Sequence, residues 1–144
     1  MRDFICMSYK LLDHATDAII EVKAKDLDEA FTVAGQAIAD ITIDTKSVSE
    51  KQEWNIAVSG EDLRYLLFNW LEAVIYQMIT DGFAIGRVEA KVTKNSNYTI
   101  EATTHGEPID LKKHGFKVEI KAPTFHEMEI DESDGVRLKF LLDL

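Results

Sequence analysis

Apolar and polar residues recur along this chain with two periods, and the switches between them mark out its elements. Residues 18–24 place Ile20, Val22 and Ala24 on one face and Ile19, Glu21 and Lys23 on the other, the period of two that a strand requires. The next run changes period. Leu27, Ala30, Phe31, Ala34, Ile38 and Ile41 fall at helical spacing, and Asp26 with Glu29 three residues on has the form of a capping box. Trp54, Ile56 and Val58 then alternate with Glu53, Asn55 and Ala57 in a second strand. The strongest stripe follows: Leu63, Leu66, Leu67, Trp70, Leu71, Val74, Ile75 and Met78 share one side of a predicted helix, which Ser59 can cap and Gly82 can close.

Downstream the helical period disappears. Val88, Ala90 and Val92 alternate with Glu89 and Lys91, Asn-Ser-Asn at 95–97 supplies a turn, and Tyr98, Ile100 and Ala102 return as the second arm of a hairpin. Val118 and Ile120 begin a further strand, with Lys117, Glu119 and Lys121 on its other face, and Met128 and Ile130 lie on another. The segment 131–135 turns the chain into a last strand ending at the terminus. Hairpin-length turns and the lack of a sustained strand–helix–strand rhythm predict an α+β fold, two helices packed on a mainly antiparallel sheet. Two prolines, seven glycines and no low-complexity tract in 144 residues predict a single domain over 1–144.

Charge narrows the function. Sixteen Lys and Arg against twenty-six Asp and Glu give −10, a surface that repels a polyanion, so direct nucleic-acid binding is not expected. An acidic face suits a soluble protein, a basic partner or a divalent cation. Cys6, the only cysteine, excludes an intrachain disulfide, fits a reducing cytoplasm, and reads as a small hydrophobe between Ile5 and Met7. The opening ten residues lack the apolar core of a leader peptide. The most apolar run is broken by Asn69, Glu72 and Gln77 and is too short to span a membrane.

Candidate chemistry is sparse. Asp17 and Asp143, with the terminal carboxylate of Leu144, offer three hard anionic oxygens suited to Mg²⁺, Mn²⁺ or Ca²⁺ if the chain ends meet. The commoner readings are Asp17 as a turn or strand-entry residue and Asp143 as a solvated tail. Asp13 and His14 either orient one another or form a polar loop. His126-Glu127 resembles the start of a zinc-protease signature, but the second histidine position is Ile130. His105 and His114 have no zinc-spaced partner, and the glycines form no phosphate-cradling motif. Lys121 is readable as part of a solvated strand face or as a cation offered to a partner's acidic group or to a nucleotide phosphate.

Six segments in order resemble the archease family over nearly the whole chain: Leu-Leu-Asp-His-Ala-Thr-Asp at 11–17, Asp-Leu-Asp-Glu-Ala-Phe at 26–31, the run 60–76, 105–114, 118–130, and the closing Leu-Leu-Asp-Leu. The resemblance implies an accessory protein, not an enzyme. It would activate the GTP-dependent tRNA-splicing RNA ligase by promoting guanylylation of the ligase's active-site histidine, so that the ligase turns over repeatedly. It also implies a divalent-metal site of Asp17, Asp143 and Leu144, and a functional Lys121, with His14 and Asp13 in support. Two departures stand out. The family reads His-Thr-Ala-Asp where this chain has His14-Ala15-Thr16-Asp17, and Pro123 replaces a common isoleucine, removing a main-chain donor. The competing readings are a metal-assisted hydrolase with His14 as base, and a chaperone-like scaffolding module acting through its acidic surface.

Overall fold

The computed structural model describes residues 8–12 and 16–144, so Cys6, Asp13 and His14 lie outside the described residues. In chain order the elements are β1 (Ser8–Leu12), β2 (Asp17–Ala24), α1 (Leu27–Thr42), a 3-10 turn (Thr45–Ser47), β3 (Gln52–Gly60), α2 (Leu63–Ile79), β4 (Phe83–Lys94), β5 (Tyr98–Pro108), α3 (Leu111–His114), β6 (Ala122–Asp131) and β7 (Val136–Asp143). The α+β class and the antiparallel pairing are as expected. The strands nonetheless divide between two sheets, one ordered β1-β2-β7-β6 and the other β3-β5-β4. Hairpins such as β4–β5 and β6–β7 can be read from local turns. The β2–β7 and β3–β5 pairings join distant segments, and a period of two carries no information about partners.

Helices α1 and α2 each begin on an aspartate. Asp26 accepts from the Glu29 main-chain N–H at 2.9 Å, and the Glu29 carboxylate reaches back to the Lys25 N–H at 3.2 Å. The cap of α2 is Asp62, which accepts from the Tyr65 N–H at 2.9 Å, rather than Ser59. Pairing with β5 continues through Gly60, opposite Tyr98, and keeps Ser59 inside the strand. Helix α2 ends on Thr80, whose N–H donates to the Tyr76 carbonyl, and Gly82, the expected closing residue, takes its left-handed φ of 65° two residues further on.

The predicted stripe of α2 is the centre of the core. Leu66, Leu67, Trp70, Leu71, Val74, Ile75 and Met78 are buried together with Ile20, Val22, Phe31, Ile38, Phe83, Ile100, Leu138 and Phe140. Trp70 is fully enclosed, and its indole N–H donates to the Phe31 carbonyl at 2.8 Å, so its one polar group is satisfied.

Helix α1 also carries a polar row that covers the outer edge of β4. The main-chain N–H groups of Val92, Ala90 and Val88 donate to Asp28 Oδ1 (2.7 Å), Thr32 Oγ1 (2.9 Å) and Gln36 Oε1 (3.1 Å). In return, Thr32 and Gln36 donate to the carbonyls of Ala90 and Gly86. Four residues of helix rise about 6 Å and two residues of strand about 6.7 Å, so successive rungs nearly coincide.

Strand β6 corrects the reading of 118–130. Val118 and Ile120 precede it in an irregular stretch, although Ile120 is buried, and Lys121 lies one residue before its start. Met128 and Ile130 belong to this same strand rather than to a separate one. Its register with β7 breaks between Thr124 and Glu129, where Glu127 adopts φ 58°, and this bulge interrupts the alternation. Pro123 is accommodated because β6 is an edge. Among the described residues, no helix is long and apolar enough to cross a membrane.

Candidate functional site

The start of β2 and the end of β7 meet at one end of the four-stranded sheet. Strand β2 enters at Asp17, β7 leaves at Asp143, and the register sets these residues directly opposite one another, followed by Ala18 opposite Leu142. Opposed residues of antiparallel strands project to the same face with Cβ atoms about 4.5–5.5 Å apart, a spacing at which like charges destabilise the pair. Asp17 is half-buried and Asp143 exposed. Beyond the last pair the Leu144 N–H still reaches the Thr16 carbonyl, at 3.4 Å. On the other side of β7, the Lys121 N–H donates to the Asp143 carbonyl at 2.8 Å. Asp17, Asp143, Leu144 and Lys121, chosen from sequence, are therefore brought together. His14 and Asp13 lie outside the described residues.

The donor set suits a hard cation. Two carboxylates on one face are oxygen donors of the kind Mg²⁺, Mn²⁺ and Ca²⁺ take, with water able to complete the shell. Among the described residues, no group of three His, Cys, Asp or Glu side chains is arranged to hold a metal. The zinc-protease resemblance at 126–130 fails on geometry, since these residues are in β6 and not on a helix.

Lys121 connects this end to a second feature. An open groove of about 950 Å³ lies between β3, α2 and residues 119–121. Trp54, Ile56, Val58 and Tyr76 give it apolar walls, Glu72 and Glu119 add carboxylates, and Lys121 contributes to its lining. Tyr76 is 56% exposed, unusual for a large aromatic on a core helix. The sequence signal for this surface was available in Glu72 and Tyr76, which fall off the buried stripe of α2.

The sequence profile of the Archease protein family (MTH1598/TM1083) matches residues 9–144. The chain belongs to the archease family. A curated relative called protein archease, from Pyrobaculum islandicum, is 36% identical over 141 residues, covering 96% of each chain. One from Sulfolobus acidocaldarius is 31% identical over 137 residues, covering 94% of this chain and 98% of the relative. The solution structure of Methanobacterium thermoautotrophicum protein 1598 superposes with a TM-score of 0.79 at 30% identity, covering 96% of this chain and 99% of that one. The archease fold thus accounts for both sheets.

Another cluster of ionisable groups in this archease-family chain is structural. Glu107 accepts from Lys113 Nζ at 2.7 Å, from the Ser49 N–H at 3.0 Å and from His114 Nε2 at 2.9 Å. His114 is fully buried, and because its Nδ1 accepts from the Asp110 N–H at 2.9 Å, Nε2 carries the proton it gives to Glu107. These bonds pin α3, a turn that apolar periodicity did not reveal, to β5 and to the start of the loop before β3. The Lys113 bond above all, then the Ser49 and His114 bonds, pull the Glu107 carboxyl from an ordinary 4.5 down to about 2. A depressed carboxyl stabilises the fold fully above its unfolded value and loses that contribution as pH falls through its folded one. Glu107→Gln is therefore expected to lower the melting temperature at neutral pH, with the gap to the parent closing as pH drops from 4.5 to about 2. Melting curves across that range check it, and a gap independent of pH would contradict the assignment.

Proposed function

We propose that this chain activates the GTP-dependent tRNA-splicing RNA ligase, promoting guanylylation of the ligase's active-site histidine and so sustaining multiple turnover. Membership of the archease family supports the reading, and the observation that carries it is the face-to-face placement of Asp17 and Asp143 beside Lys121. Asp17, Asp143 and the carboxylate of Leu144 would hold a divalent cation, Mg²⁺, Mn²⁺ or Ca²⁺. Once bound, that ion supplies positive charge able to neutralise phosphate oxygens. The chain's own part is to keep two carboxylates on one rigid sheet face, to fix the β7 end through the Lys121 N–H, and to present this end to the partner. On this reading the protein is an accessory factor of the cytoplasm and meets RNA only through the ligase.

Ligation under multiple-turnover conditions, with and without the chain, tests the proposal. Stimulation is expected, and an unchanged turnover number removes the reading. Hydrolysis of nucleotides by the isolated chain, lost in Asp17→Asn, would instead establish the hydrolase alternative. A variant extended by several residues after Leu144 separates the terminal carboxylate from the rest. Extension turns it into an uncharged amide, so cation affinity is expected to fall about tenfold or more while the fold persists. Equal affinity in titration calorimetry would exclude Leu144 as a ligand.

A further inference from the structure

The sheet edges of this molecule are treated unequally. The edge of β4 is closed by the side chains of Asp28, Thr32 and Gln36. The edge of β6 carries Pro123 and a bulge, and Arg64 Nη1 donates to its Met128 carbonyl at 2.9 Å. These are the devices by which proteins prevent edge strands from pairing with other chains.

Strand β3 has neither the proline and bulge of β6 nor the row of capping side chains of β4. It is an edge, nine residues long, and contains no lysine, arginine or proline. Among the described residues, the contact that α2 makes with its backbone by a side chain is a single hydrogen bond, from Asn69 Nδ2 to the Ser59 carbonyl at 2.8 Å. Residues from both faces of β3 line the groove, Asn55 and Ser59 as well as Ile56 and Val58, so the groove opens on the free edge of the strand. A long edge beside an apolar trough has the form that receives an extended peptide as an added strand: main-chain bonds hold it, and alternate side chains enter the trough.

We infer that the groove between β3 and α2 receives an extended, basic segment of the partner protein, which adds to the sheet beside β3. Charge selects this occupant. Glu72, Asp81 and Glu119 border the groove against one cation, Lys121. A second copy of this chain would bring a net charge of −10 and a β3 whose charged residue is Glu53. Lysine and arginine at the ends of an incoming strand would meet the wall carboxylates, while its alternate apolar residues covered Ile56, Val58 and Tyr76. The partner is the ligase of the preceding section, so the inference rests on that reading. It adds where contact is made and by what kind of segment. The groove adjoins Lys121, so docking there would also bring the Asp17–Asp143 end close to the bound protein.

Hydrogen exchange of the intact chain, alone and with the tRNA-splicing RNA ligase, tests this. Amides of residues 52–60 are expected to slow about tenfold or more on adding the ligase, and those of β4, already capped by α1, to stay unchanged. The double variant Glu72→Lys, Glu119→Lys, altered only at exposed positions, is expected to bind about tenfold more weakly at low salt, with the deficit shrinking at high salt. Stimulated turnover with no slowing in 52–60 overturns the groove and leaves the activator reading standing. Absence of both binding and stimulation overturns both. Slowing that grows with the concentration of the chain alone identifies a second copy as the occupant and overturns the inference.

Discussion

Asp143→Asn is expected to change the stability of this protein in opposite directions with and without a divalent cation. In chelator, the substitution removes one of two carboxylates held face to face across β2 and β7, and relief of that repulsion should raise stability by about 0.2–1 kcal/mol. With Mg²⁺, Mn²⁺ or Ca²⁺ at one hundred times its dissociation constant, the parent gains about 2.7 kcal/mol from linkage, which for a chain of this size is a rise of about 5–10 °C in melting temperature. The variant, short of one ligand, should show little of that rise. Stimulation of the ligase should fall in the same variant, and in Asp17→Asn, while the metal-free fold is retained. Paired melting curves in chelator and in cation decide the matter. If the parent does not respond to any of the three ions, or the variant responds equally, the two carboxylates are not ligands.

The second large effect is expected at Gly106, far from that site. Gly106 lies in β5 opposite Gln52 on one side and Ile85 on the other, beside the irregularity that separates Ile85 from Arg87. A Cβ built there falls 1.9 Å from the Ala84 carbonyl oxygen. The obstacle is backbone, so no rotamer change relieves it, and one strand must move away from the other. Gly106→Ala should therefore cost at least about 3 kcal/mol, the upper range of overpacking, and reduce the yield of folded protein. Gly82→Ala is the useful contrast: its φ of 65° is strained for alanine, but the built Cβ meets only the Ile109 side chain at 3.6 Å. A cost of about 1–2 kcal/mol is expected there. Denaturant melts of the two variants measure the difference, and equal costs would mean that β4 and β5 part more easily than their spacing implies.

What the sequence disclosed follows from the range of each signal. The helices were legible because Phe31, Ile38, Trp70 and Val74 repeat with the helix itself, and the hairpin 88–102 because its turn is local. The cap of α2 was misplaced from Asp62 to Ser59 because the extent of β3 depends on its pairing with β5, which lies some forty residues on. β6 read as two strands because its bulge shifts the alternation between Thr124 and Glu129. The site divides in the same way. Asp17 and Asp143 were visible as carboxylates near opposite ends, yet only a register of eight pairs between β2 and β7 makes them neighbours, and the family resemblance conveyed that where periodicity did not. The Glu107–His114 contact and the groove beside β3 depend on tertiary packing and left no motif. The polar row of Asp28, Thr32 and Gln36 was present all along at four-residue spacing, but polar positions on a helix ordinarily mean solvent.

That row behaves as a vernier. Each rung falls out of step by about 0.7 Å, so a fourth would miss by about 2 Å, and Asp40, next in the series, instead accepts from the Tyr9 hydroxyl at 2.8 Å and from Thr45 Oγ1 at 2.8 Å. The helix thereby measures off a fixed length of strand before turning to other partners. Deleting one residue between Asp28 and Gln36 would swing the later rungs by about 100° and unlock the whole flank, whereas a longer β4–β5 loop at 95–97 would leave the gauge untouched.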